Sequence, residues 1–68
     1  MISMMKMEER VYTRDIVRFL ISQPDQVATT KDIADALHVS EDSAKSGLVR
    51  LQRVSRVDEI SKNMWHLE

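Results

Sequence analysis

The chain has 68 residues, with ten basic against eleven acidic side chains, one glycine, one proline and no cysteine. That length allows one small domain, near the lower limit of what a single hydrophobic core stabilises. The lack of cysteine excludes a disulfide framework and a thiolate metal site and fits a reducing compartment, while the near-neutral charge gives no global pull toward nucleic acid.

The expectation is therefore a single domain over residues 1–68. No apolar run is long enough to span a bilayer. The opening MISMMKMEER is a short apolar stretch broken by Lys6, without the pattern of a signal peptide. A cytoplasmic protein without membrane contact follows, and a homodimer would enlarge so small a core. Charge is unevenly spread along the chain. Residues 1–42 carry five basic and eight acidic side chains, a net of −3, whereas residues 43–68 carry five and three, a net of +2. Between Lys45 and Val57 lie four bases and no acid. Local charge of this kind, rather than the total, sets a binding face.

Taken in chain order, the N-terminal Met1, Met4, Met5 and Met7 admit three readings: a frayed start, the first turns of a helix, or an adaptable dimer surface. Thr13 is placed to cap a first helix whose apolar residues Ile16, Val17, Phe19 and Leu20 recur at helical spacing. Met4, Met7 and Val11 continue a weaker stripe upstream. Pro24 in SQPDQ disfavours helical geometry at Gln23 and ends the helix. Residues 25–28 read as a short connection, with Val27 pinned toward the core.

A second helix begins at Thr29, whose hydroxyl is placed to accept the amide of Asp32 while Asp32 reaches back, a shortened capping box. Ile33, Ala34 and Leu37 form its buried stripe. It stops at His38-Val39-Ser40, and Ser40 then caps a third helix running to about Val54. Glu41 and Asp42 open that helix. Beside DNA they would meet phosphate repulsion, but at the positive end of a helix dipole each contributes about 0.3–1 kcal/mol. Ala44, Leu48 and Leu51 mark the inner side, with Val54 near the end. At 100° per residue Asp42, Ser46, Val49 and Arg53 point the opposite way, flanked by Lys45 and Arg50. Ile33, Leu37, Val39, Ala44 and Leu48 are spaced to meet in one core, and Ala34 and Ala44 are small enough for a close helix crossing. Gly47 costs about 1 kcal/mol against alanine inside a helix. Close packing against the first helix or close approach to a phosphate would each explain it.

In the final stretch, SRVDEISKNMWHLE, Val57 and Ile60 precede the polar SKN group while Met64, Trp65 and Leu67 follow it. This reads as a two-stranded hairpin with Trp65 and Leu67 inward. Asn63 tolerates the left-handed backbone that such a turn needs.

The run T-x-x-D-I-A-x-A-L-x-V-S in TTKDIADALHVS, then A-x-x-x-L-x-x-L in AKSGLVRL, then the closing N-M-W-H-L, resembles the winged helix-turn-helix superfamily of small bacterial, phage and archaeal transcription regulators. The resemblance covers residues 13–67. It implies a mainly α domain with a small β-hairpin, a three-helix winged helix-turn-helix. It also implies sequence-specific binding of double-stranded DNA. The third helix (about 40–54) would enter the major groove, and the hairpin wing (about 57–67) would lie on the backbone. Two positions depart from the family pattern, since His38 and Ser55 stand where glycine is usual; a left-handed backbone there costs about 1 kcal/mol or more.

By that resemblance Ser43, Lys45, Ser46, Val49 and Arg50 read the bases. Arg50 is suited to a bidentate contact with guanine and Val49 to a thymine methyl. Arg53, Arg56 and Lys62 would contact phosphates, with Thr30 and Lys31 near the backbone at the start of the second helix. The implied partners are duplex DNA and a second copy of the chain through the N-terminal helix. No cofactor, metal or small-molecule substrate is expected. His38 and His66 are too few for a metal site, and the serines have no Ser-His-Asp arrangement in a scaffold large enough for a pocket, so an enzyme is not expected. Glu68 is given no role. The alternative is a winged-helix module that binds protein without DNA, motivated by the acidic Asp32 and Asp35 and the methionine-rich N-terminus.

Overall fold

The chain enters the first helix, α1 (Thr13–Ile21), through Val11, which is buried against the third helix. Residues 11–68 are described by the computed structural model. An earlier beginning of α1 through Met4 and Met7, and every reading of the methionine cluster, lies outside these residues. Thr13 does not cap α1, contrary to the sequence expectation. Tyr12 holds the cap position in an extended conformation, with no side-chain cap bond, and Thr13 is the first helical residue. Burial of Val11 sets where the chain bends, and this overrides the local capping preference of threonine. Ile16 and Leu20 are completely buried on the inner face of α1, with Val17 and Phe19 packed partly against the same core.

Pro24 opens a 3-10 turn, Pro24–Gln26, closed by Gln26 N–H donating to the Gln23 carbonyl at 3.0 Å. The segment expected to be a plain connection then forms a strand, β1 (Val27–Thr29). The second and third helices follow as α2 (Thr30–Leu37) and α3 (Glu41–Arg53). Each begins at a hydroxyl cap. Asp32 N–H donates to Thr29 Oγ1 at 3.0 Å, and Ser43 N–H donates to Ser40 Oγ at 3.1 Å. Each also ends in a left-handed residue that is not glycine, His38 at φ 59° and Ser55 at φ 62°. The amides beyond those residues fold back in the Schellman pattern. Val39 N–H reaches the Ala34 carbonyl at 3.0 Å, and Arg56 N–H reaches that of Leu51 at 2.9 Å. Ala34 on α2 and Ala44 on α3 are both buried in the shared core.

The last two strands are β2 (Val57–Ser61) and β3 (Met64–Leu67). With β1 they form a three-stranded antiparallel sheet in the order β1-β3-β2, where a two-stranded hairpin was expected. Ala28 pairs with Trp65 on one side, and Glu59 pairs with Trp65 on the other. Ile60 is the extra residue of a β-bulge between Glu59 and Ser61, which leaves it 52% exposed. Val54 stands at the end of α3, as expected from the sequence. It caps the helix there and is 65% exposed. The result is a mainly helical domain whose small sheet closes one side of a single core centred on Trp65, Ile16, Leu20, Ile33 and Leu48. No helix among the described residues is long and apolar enough to cross a membrane.

Candidate nucleic-acid interface

Two packing facts orient α3. Ala44, Gly47, Leu48 and Leu51 face the core, and Gly47 lies so close to α1 that a Cβ there would stand 2.6 Å from Ile16 Cδ1 and 3.3 Å from Val11 Cγ1. The glycine is thus accounted for by helix packing; a phosphate is not needed to explain it. With that side against α1, the opposite side of α3 faces solvent. Asp42, Lys45, Ser46, Val49, Arg50 and Arg53 line one open concavity of about 470 Å³ there. Five of these six are residues that the sequence singled out as binding candidates; Asp42 is the addition.

Two bases on the other helices have carboxylate partners, while Arg18 on α1 has none among the described residues. Lys31 on α2 donates to the Asp35 carboxylate at 3.0 Å, and Arg14 on α1 lies 3.7 Å from Asp15. The Asp35 carboxylate, through its hydrogen bond first and its charge second, raises the Lys31 ammonium above its ordinary pKa. Its charge therefore persists to higher pH, and the pairing is lost only as pH rises through that raised value. Among the described residues, no carboxylate forms an ion pair with Lys45, Arg50, Arg53, Arg56 or Lys62. All five are exposed.

The remaining candidates sit around this face with different freedoms. Ser43 is half-buried and engaged in the α3 cap, where Ser40 Oγ–H donates to its hydroxyl at 3.1 Å. Arg56 is exposed just past α3, and its carbonyl accepts from Glu68 N–H at 2.9 Å. Lys62 is exposed in the turn between β2 and β3, beside Asn63 at φ 60°. Thr30 requires a correction. It is 3% exposed, and its amide donates to the Asn63 carbonyl at 2.9 Å. Its hydroxyl accepts from Trp65 Nε1–H at 2.8 Å. A buried indole N–H needs a partner, and here the start of α2 supplies it. Thr30 therefore belongs to the core rather than to the surface.

These contacts form a network that sequence reasoning did not identify. From Trp65 it runs through Thr30 to Asn63, whose own amide donates to the Glu59 carboxylate at 2.8 Å. It ties the β2–β3 turn, and with it Lys62, to the start of α2. The one sequence signal was the lone tryptophan, whose N–H demanded a partner without indicating which.

For other chemistry, His38 stands at the α2–α3 corner, and His66 lies in β3 with Nδ1 3.5 Å from Glu68. Among the described residues, no group of three or more His, Asp or Glu side chains converges as metal ligands would. The site gathers three bases and one carboxylate, Asp42, with the small Ser46 and the apolar Val49 between them. Compared with known proteins, the chain matches no family model, no curated protein and no solved structure.

Proposed function

We propose that this chain is a winged helix-turn-helix module that binds double-stranded DNA as a small transcription regulator. In this reading α3 enters the major groove and the β2–β3 turn lies against the phosphate backbone, with pairing of two copies through the N-terminal helix. The observation that carries it is the outer face of α3, where Lys45, Arg50 and Arg53 surround Ser46 and Val49 without a carboxylate ion pair among the described residues. Three helices with a small antiparallel sheet returning onto them support the same layout.

The physical logic is that of groove binding. A helix fits a major groove about 12 Å wide, and the duplex meets it with phosphate charge on both walls. Arg53, Arg56 and Lys62 lie toward the ends of the surface and suit the walls, while Ser46, Val49 and Arg50 suit the floor. With five bases available per monomer, log affinity should fall with log salt at a slope of about −4. A fluorescence-anisotropy titration on duplex DNA at 50 and 200 mM salt tests this. About a 300-fold weakening over that range is expected; no binding at the lower salt overturns the proposal.

A second reading, a winged-helix module that binds protein, draws on Tyr12 and Ile21, large apolar side chains exposed at the two ends of α1. It predicts capture of a specific protein partner, lost on Ile21→Glu, by a chain that retains no duplex.

A further inference from the structure

Among the described residues, Asp42 is the only acid lining the concavity that otherwise gathers Lys45, Ser46, Val49, Arg50 and Arg53. Its position in the first turn of α3 gives it a helix-dipole role, but Glu41 beside it holds the same role without lining that concavity. Among the described residues, no base forms an ion pair with Asp42, and the residue is exposed. Along the helix it stands in line with Ser46 and Val49, about 6 Å from the first and about 10 Å from the second. A surface otherwise suited to phosphate thus carries one carboxylate in its middle arc.

Such a carboxylate lowers affinity for every sequence, because phosphates on both groove walls repel it. Only a hydrogen-bond donor on the groove floor offsets that cost. An ionised carboxylate is an acceptor and nothing else. The donors among major-groove base edges are the N4 amino group of cytosine and the N6 amino group of adenine; guanine and thymine present acceptors alone.

Resting on the DNA reading above, we propose that Asp42 is a specificity-determining residue that accepts a hydrogen bond from an exocyclic amino group. It selects cytosine or adenine on the strand facing the start of α3 and rejects guanine and thymine there. The effect is discrimination gained at the expense of overall affinity, the reverse of what Arg50 and Arg53 contribute.

The test is selection of bound sequences from a random duplex pool by the full chain, its Asp42→Ala variant and its Glu41→Ala variant. The wild type is expected to yield a motif with one position confined to cytosine or adenine. Asp42→Ala should admit all four bases at that position, an approximately tenfold loss of discrimination, and should bind off-motif duplexes more tightly. Glu41→Ala, which removes the neighbouring dipole charge, should keep the wild-type motif. An unchanged motif in Asp42→Ala overturns the inference while leaving DNA binding intact. Failure of the wild type to enrich any duplex overturns the DNA reading itself, and the inference falls with it.

Discussion

Helices α2 and α3 are built by the same local rules and present different surfaces. Both start at a hydroxyl cap, both end in a left-handed residue that is not glycine, and each buries an alanine in the shared core. Yet α2 engages Lys31 and Thr30 within the molecule. Lys31 bonds Asp35, and Thr30 at its start is buried under the sheet with its hydroxyl and amide both engaged. By contrast, α3 commits one side to the core and leaves Lys45, Arg50 and Arg53 exposed, with no ion pair among the described residues. The lesson is that a charged helix face is uninformative by itself. What marks α3 as the candidate binding surface is where its charges end, not how many there are.

That contrast is broken or sharpened most strongly by substitution of the α3 bases. Arg50→Ala combined with Arg53→Ala should weaken duplex affinity about 100-fold and reduce the salt slope by about one, with little change in thermal stability. Lys31→Ala on α2 should change affinity less than about threefold in the same anisotropy assay. Equal losses from the two helices would erase the distinction.

The next effect belongs to α2 and reads out in stability instead. Thr30→Val keeps the shape of the side chain but leaves the Trp65 N–H buried without a partner, which costs about 1–3 kcal/mol in urea denaturation. Thr30→Ser, which retains the hydroxyl, should recover most of that loss. On the inner side of α3, Gly47→Ala sets two effects against each other. Helix propensity favours alanine by about 1 kcal/mol, while the new Cβ would stand 2.6 Å from Ile16 Cδ1, on a side chain with no exposed surface. Overpacking costs about 1–3 kcal/mol, so a net loss of about 1 kcal/mol is expected in the same denaturation assay.

The smallest effects fall on what the two helices share. His38→Gly and Ser55→Gly each relieve a left-handed backbone and should stabilise the fold by about 0.5–1 kcal/mol, read as a rise in Tm. Similar gains at the two corners are expected, because both close by the same pair of folded-back amides.

What could be read from residues alone follows the range of the interaction. Thr29 and Ser40 as caps and Asn63 as a left-handed position obey rules that span a few residues, whereas the left-handed His38 and Ser55 follow from the resemblance, and the sequence leaves Gly47 open between helix packing and phosphate approach. The gathering of Lys45, Ser46, Val49, Arg50 and Arg53 on one face is legible locally as well, since 100° per residue already aligns them. Strand β1 was not legible. Three residues are too few for a periodic signal, and its partner β3 lies more than thirty residues away. Thr30 was misplaced on the same grounds, because its partners Asn63 and Trp65 become neighbours only when the sheet closes. Ile60 fits an alternating strand on paper, and the bulge that turns it outward is a property of pairing with β3.

The central claim, that α3 rather than α2 or α1 meets DNA, is tested most directly by amide chemical-shift mapping of the labelled chain during titration with a duplex. Perturbations are predicted along Lys45, Ser46, Val49, Arg50 and Arg53 and at Lys62 in the β2–β3 turn, with Lys31 to Leu37 undisturbed. Shifts concentrated around Tyr12 and Ile21 while the outer face of α3 stays silent would contradict it.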